Sequence, residues 1–140
     1  MTDAPTIETQ EEVMFFDTDC GAVVHNIAYL RMIETARTRL AAKLGMSLRE
    51  MSETQLFPVV LRTEIDYRKP AKLADHLIIR GRLQSVERVR FWCAFEIHRA
   101  EDEVLLVTCR QSLALVQMPQ GKPMRLPADW FEKYAHLSAV

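Results

Sequence analysis

The chain has 140 residues, 49% of them apolar and 26% charged, with a formal net charge of −1. That length supports one ordinary core and is short for two, and the near-neutral charge argues against broad electrostatic binding to nucleic acid or membrane. Three cysteines, Cys20, Cys93 and Cys109, are odd in number and far apart, which suits a reducing compartment and argues against a disulfide framework.

Taken in order, residues 1–10 read as a loose arm. The start, MTDAPTIETQEE, is polar and acidic rather than a signal peptide, and no apolar run approaches the roughly 18 residues of a membrane span, so a cytoplasmic protein is expected. Val13 to Phe16 form a short strand leading into a turn at Asp17–Asp19. An amphipathic helix follows over about 27–44, because Tyr29, Met32, Ile33, Ala36, Leu40 and Leu44 recur at three- and four-residue steps. Asn26 stands at the N-cap position and Gly45 at the left-handed position that ends a helix. Residues 46–55 read as a helical turn or loop.

From residue 56 the period changes to two. Phe57, Val59, Leu61, Thr63, Ile65 and Tyr67 share one face, with Arg62, Glu64, Asp66 and Arg68 on the other. Lys69–Pro70–Ala71 breaks the strand. A second strand, about 76–86, carries Leu77, Ile79 and Leu83. A third, about 89–99, turns Phe91, Cys93, Phe95 and Ile97 inward and Trp92 outward, and a fourth runs over about 103–117. Residues 128–136 form a short C-terminal helix. One strand, one long helix and four strands in an antiparallel meander make an α+β domain over residues 1–140, in which a curved antiparallel five-stranded sheet wraps around the helix. An open sheet leaves edges that invite a second copy, so a homodimer or tetramer is expected.

The segment DTDCGAVVHNIAYLRMIETAR, 17–37, resembles the helix-entry motif of hot-dog-fold acyl-CoA thioesterases of the 4-hydroxybenzoyl-CoA thioesterase type. That motif reads roughly D-x-D-x-x-G-x-V-x-x-x-x-Y-L, matched here by Asp17, Asp19, Val24, Tyr29 and Leu30, and DYRKPAKLAD, 66–75, is similar to the family's strand–Pro–strand segment. The resemblance implies the hot-dog fold, hydrolysis of an acyl-CoA thioester to free acid and CoA, and a site between two protomers near the start of the long helix. It implies that Asp19 is the nucleophile or general base, that Tyr29 and Leu30 shape the acyl pocket, and that Arg88 and Arg90 touch the CoA phosphates. No cofactor or metal is implied beyond the CoA of the substrate. The motif glycine falls on Ala22, with Gly21 one residue early. The histidine of a related branch is displaced by one here, onto His25.

The chemistry needs a polarised carbonyl and an activated water or carboxylate. Unpaired amides at a helix start supply the first, and a nearby carboxylate the second. Asp19 is thus either that carboxylate or a turn residue, and Asp17 reads as structural. His25 orients water, shuttles a proton or lines the loop; Asn26 caps the helix beside the oxyanion site. Arg88 and Arg90, with Lys69 and Lys72, form either a phosphate clamp or ordinary charged turns. The alternatives are an acyl-ACP thioesterase and a non-hydrolytic acyl-binding protein of the same fold.

Overall fold

The computed structural model describes residues 3–137. The long helix α1 covers Asn26–Lys43 and buries Tyr29, Met32, Ile33, Ala36 and Leu40, the face that the spacing predicts. Met32, Ile33 and Leu40 are fully buried, each contributing on the order of 1.5–3 kcal/mol from apolar area removed from water. The helix stops because Gly45 takes a left-handed backbone (φ +89°). The Gly45 amide then donates to the Ala42 carbonyl and the Met46 amide to the Ala41 carbonyl, 3.2 and 2.8 Å, satisfying two carbonyls the helix leaves open.

Residues 46–55 hold a second helix, α2, over Leu48–Thr54. Its first turn is closed reciprocally: the Ser47 amide donates to Glu50 Oε1 and the Glu50 amide to Ser47 Oγ. These bonds hold the Glu50 carboxyl below its ordinary value. A third helix, α3 over Ala128–Tyr134, falls within the predicted 128–136 and buries Trp130 and Tyr134, with Trp130 edge-on to Phe91 at 5.3 Å.

The sheet has six strands: β1 Thr6–Glu12, β2 Leu56–Tyr67, β3 His76–Val86, β4 Arg90–Arg99, β5 Leu105–Gln117 and the short β6 Lys122–Met124. All pairings are antiparallel, in the order β1-β3-β4-β5-β2, with β6 beside β5. The expectation of five strands around one long helix, with a short C-terminal helix, becomes six strands and, among the described residues, one long and two short α-helices. Residues 6–12 are not a loose arm. They pair along β3 from Thr6↔Arg82 to Glu12↔His76. The predicted strand at 13–16 is instead mostly a single 3-10 turn, Phe15–Asp17.

Nor is the order a simple meander. β2 lies at the far edge and pairs with β5, so the chain travels back past the ends of β5 and β4 to reach β3. This crossing, residues 68–75, passes the start of α1. The Val24 amide donates to the Ala71 carbonyl, Val23 bridges Lys72, and the Ala71 amide donates to the buried Tyr29 hydroxyl at 2.9 Å. Arg99 pins the crossing from β4 through Asp75 and the Pro70 carbonyl.

The single face predicted for β2 is also corrected. A bulge between Val60 and Arg62 breaks its register, and a bulge changes which residues face inward. Leu56, Val60 and Ile65 pack on the core, whereas Val59 and Leu61 are exposed, Leu61 at 57%.

Candidate active site

Residues 17–25 form a small hairpin that feeds α1. Thr18 bridges Val24, flanked by the Asp19 amide on the Val23 carbonyl and the His25 amide on the Asp17 carbonyl, both at 3.0 Å. The turn needs left-handed backbone at two successive positions, Cys20 (φ 55°) and Gly21 (φ 75°), and closes with the Ala22 amide on the Asp19 carbonyl. Glycine at 21, one position before the motif glycine, meets that demand without the strain a side chain brings. Across this bridge Asp19 stands opposite Val23 beside the turn, and Asp17 opposite His25 at its base.

The Asp19 carboxylate is exposed and has no partner among the described residues. Asp17 is its opposite: buried at 2% exposure, it accepts from the Met14 amide at 2.9 Å and lies 3.7 Å from Arg31 of α1. Of the two motif carboxylates, one holds the loop to the helix and the other is free to meet a ligand.

His25, not Asn26, caps α1. Its Nδ1 accepts from the Ala28 amide at 3.2 Å, and its Nε2 lies 3.1 Å from the Phe16 carbonyl. Together these contacts assign the proton to Nε2, since Nδ1 must offer a lone pair. Asn26 is the first residue inside the helix. The amides of Asn26 and Ile27 have no acceptor among the described residues, and Ile27 is 74% exposed. The positive end of the helix dipole is thus open on the side of the hairpin.

Beside it lies a cleft of about 230 Å³, walled by Val24, Asn26 and Tyr29 on one side and Tyr67, Arg68, Lys69 and Pro70 on the other. Tyr29 and Tyr67 stand 5.6 Å apart, ring to ring, and burial raises both hydroxyls above their ordinary values. Leu30 is partly exposed on the outer side of α1. Arg88 and Arg90 sit in and after the β3–β4 turn, Arg90 paired with Glu87 at 3.1 Å. Eleven-residue β3 separates that turn from the hairpin, on the order of 33 Å, so one chain does not bring these arginines to Asp19. Arg68 and Lys69 hold the nearer positive charge. Sequence reasoning missed Arg68 and Tyr67 because only the crossing brings them to the helix start; the 66–75 resemblance was the available signal.

A larger depression of about 700 Å³ carries Arg80, Arg82, Glu96, Thr108 and Arg110 over β3–β5, with Lys43 at the end of α1 on its rim. It contains none of the groups above and mixes both charge signs, so the smaller cleft is the better match to the chemistry. Among the described residues, no group of three or more His, Cys, Asp or Glu side chains could hold a metal ion, and no helix is long and apolar enough to cross a membrane.

Residues 13–134 match the thioesterase-like superfamily. The chain belongs to that superfamily. It is 29% identical over 126 residues to an acyl-CoA thioesterase of Haemophilus influenzae, covering 89% of this chain and 91% of that one. A probable thioesterase from Bartonella henselae superposes with a TM-score of 0.78 at 30% identity, over 87% of this chain and 99% of the other. A 1,4-dihydroxy-2-naphthoyl-CoA thioesterase from Synechocystis gives the same score at 26% identity, over 91% and 94%. The matched span contains the hairpin, α1 and the crossing, the three pieces from which the site is built.

Proposed function

We propose that this superfamily member hydrolyses acyl-CoA thioesters to the free acid and CoA, with Asp19 as the carboxylate of the 4-hydroxybenzoyl-CoA thioesterase type. The observation that carries the reading is the pairing of an exposed, unpartnered Asp19 carboxylate with two open amides, Asn26 and Ile27, at the start of the one long helix. A thioester carbonyl placed at those amides develops its negative charge where oriented donors already point. In one route Asp19 takes a proton from the water that attacks the carbonyl and passes it to the departing CoA sulfur. In the other it attacks the carbonyl itself, expelling CoA (whose sulfur takes a proton from water) and forming a mixed anhydride that a second water hydrolyses to the free acid. Tyr29 supports the site by anchoring the helix start to Ala71, and Asn26 lines the cleft. Arg68 and Lys69 suit the phosphates of CoA.

A 230 Å³ cleft is small for a ligand the size of an acyl-CoA. Around it Phe16 and Ile27, each 74% exposed, and Met14, Phe15 and Leu30 present apolar surface to water. A second copy seated on that surface completes the walls and supplies further groups, including its own Arg88 and Arg90 turn.

The test is release of free thiol from a panel of aromatic and aliphatic acyl-CoAs, run beside the same acyl groups on acyl carrier protein. Turnover of CoA substrates well above the carrier-bound forms is expected. Faster turnover on carrier protein would transfer the assignment to an acyl-ACP thioesterase, and none on either would leave an acyl-binding protein.

A further inference from the structure

Ala71, in the crossing from β2 to β3, is fully buried and gives both of its peptide groups to the start of α1. Its carbonyl accepts from the Val24 amide and its own amide donates to the Tyr29 hydroxyl, each at 2.9 Å. The two open amides, Asn26 and Ile27, lie between those anchor points in the chain. One residue thus brackets the segment 24–29, and its position sets where the open amides point.

What holds Ala71 comes from β4. Pro70, just before it, has no amide to donate, so its carbonyl is the polar group by which the backbone can be held there. Arg99 Nη2 donates to that carbonyl at 3.3 Å. The rest of the guanidinium spans two carboxylates: Nε donates to Asp75 Oδ2 at 3.3 Å and Nη1 to Asp102 Oδ2 at 2.9 Å. Asp75 Oδ2 also accepts from the Lys72 amide at 2.9 Å, so Arg99 grips the crossing on both sides of Ala71. The base of the fork is itself fixed. The Arg99 amide donates to the Val104 carbonyl, the Arg99 carbonyl accepts from the Glu103 amide, and the Ala100 amide donates to the His76 carbonyl. Three N–H groups held in one plane therefore meet three acceptors, a match particular to arginine.

We propose that Arg99 is a positioning residue for hydrolysis: through Pro70 and Ala71 it holds the Asn26 and Ile27 amides in the direction a developing oxyanion needs. The inference rests on the thioesterase reading and extends it to a residue outside the cleft, since Arg99 is not among the cleft walls. Without the guanidinium, Pro70 and Ala71 are free to shift, and Val24 and Tyr29 shift with them. Donors aimed at a transition state act by alignment, and a misplacement of about 1 Å costs on the order of a hundredfold in rate.

The experiment compares wild type with Arg99→Gln and Arg99→Lys. It reads kcat and KM on the best acyl-CoA substrate, Kd for a non-hydrolysable S-alkyl-CoA thioether, the thermal midpoint, and hydrogen exchange at the Val24 and Ala71 amides. The thioether has no carbonyl, so it reads the cleft without the oxyanion amides. Arg99→Gln is expected to lower kcat by at least about tenfold, to leave the thioether Kd unchanged, and to speed exchange at both amides. Arg99→Lys keeps the charge beside Asp75 and Asp102 but offers one ammonium in place of the fork. It is expected to recover the thermal midpoint and not kcat, and it keeps the test open if Arg99→Gln does not fold. A folded Arg99→Gln with wild-type kcat overturns the proposal, as does full kcat in Arg99→Lys. Thioether binding lost in step with kcat also overturns it, because Arg99 would then be structural only. Exchange separates the two readings. A wild type that turns over no acyl-CoA removes hydrolysis, while faster exchange in the variants keeps the Arg99 hold on the helix start; unchanged exchange beside an active wild type removes the Arg99 inference alone.

Discussion

Asp17 and Asp19 are two residues apart, yet one is buried under Met14 and Arg31 and the other is exposed without a partner. That contrast was partly legible in the sequence, where Asp17 reads as structural and Asp19 as either a reactive carboxylate or a turn residue. His25 was less legible, because its role as cap depends on the Nδ1–Ala28 and Nε2–Phe16 contacts. His25→Ala is expected to lower stability by about 1 kcal/mol, as for other lost caps, and His25→Asn to restore most of it in denaturant titrations. Equal destabilisation by both would remove the cap from the account. The three thiols make a further contrast, with Cys20 exposed and Cys93 and Cys109 buried. Burial pushes both buried thiols from an ordinary 9.0 up to about 12. Native protein is therefore expected to react quickly with a thiol reagent at Cys20 alone, and at all three in denaturant. Between about pH 9 and 12 the unfolded chain gives up thiol protons that the folded chain keeps, so stability falls as pH rises through that window. A stability flat across it would mean that both thiols are already exposed.

The helix α1 was read to within a residue at each end, because a 3.6-residue period and a glycine stop agree there, though its cap is His25 and not Asn26. The β2 strand was read only in part. Its alternation looks continuous in the sequence, and the bulge that shifts it at Leu61 has no residue signature such as Gly or Pro. β1 was missed because TIETQEE alternates only weakly and one side of it faces solvent. Gly81 shows how tight the β1–β3–β4 region is: a Cβ there would fall 2.8 Å from the Phe95 ring and 3.3 Å from Ile7. Gly81→Ala is expected to cost about 1–3 kcal/mol through overpacking, read as a lower thermal midpoint. An unchanged midpoint would mean that Phe95 has room to turn aside.

At the scale of the molecule, the decisive feature is the crossing from β2 at one edge to β3 near the other. It carries Arg68, Lys69 and Pro70 to the helix start, a meeting that neither periodicity nor turn residues announce and that only the resemblance at 66–75 hints at. The edge strand and the apolar surface around Ile27 lead to a second expectation, that the chain sediments as a dimer or larger and that Leu61→Lys shifts it toward monomer. A wild-type monomer with full activity would contradict the shared site. The central claim is that a thioester is broken between the Asp19 carboxylate and the open amides of α1. Its most direct test is kcat of Asp19→Asn on the best acyl-CoA substrate, with the variant checked for a wild-type thermal midpoint. A fall of about two orders of magnitude or more with little change in KM is expected; a wild-type kcat would contradict a thioester broken there.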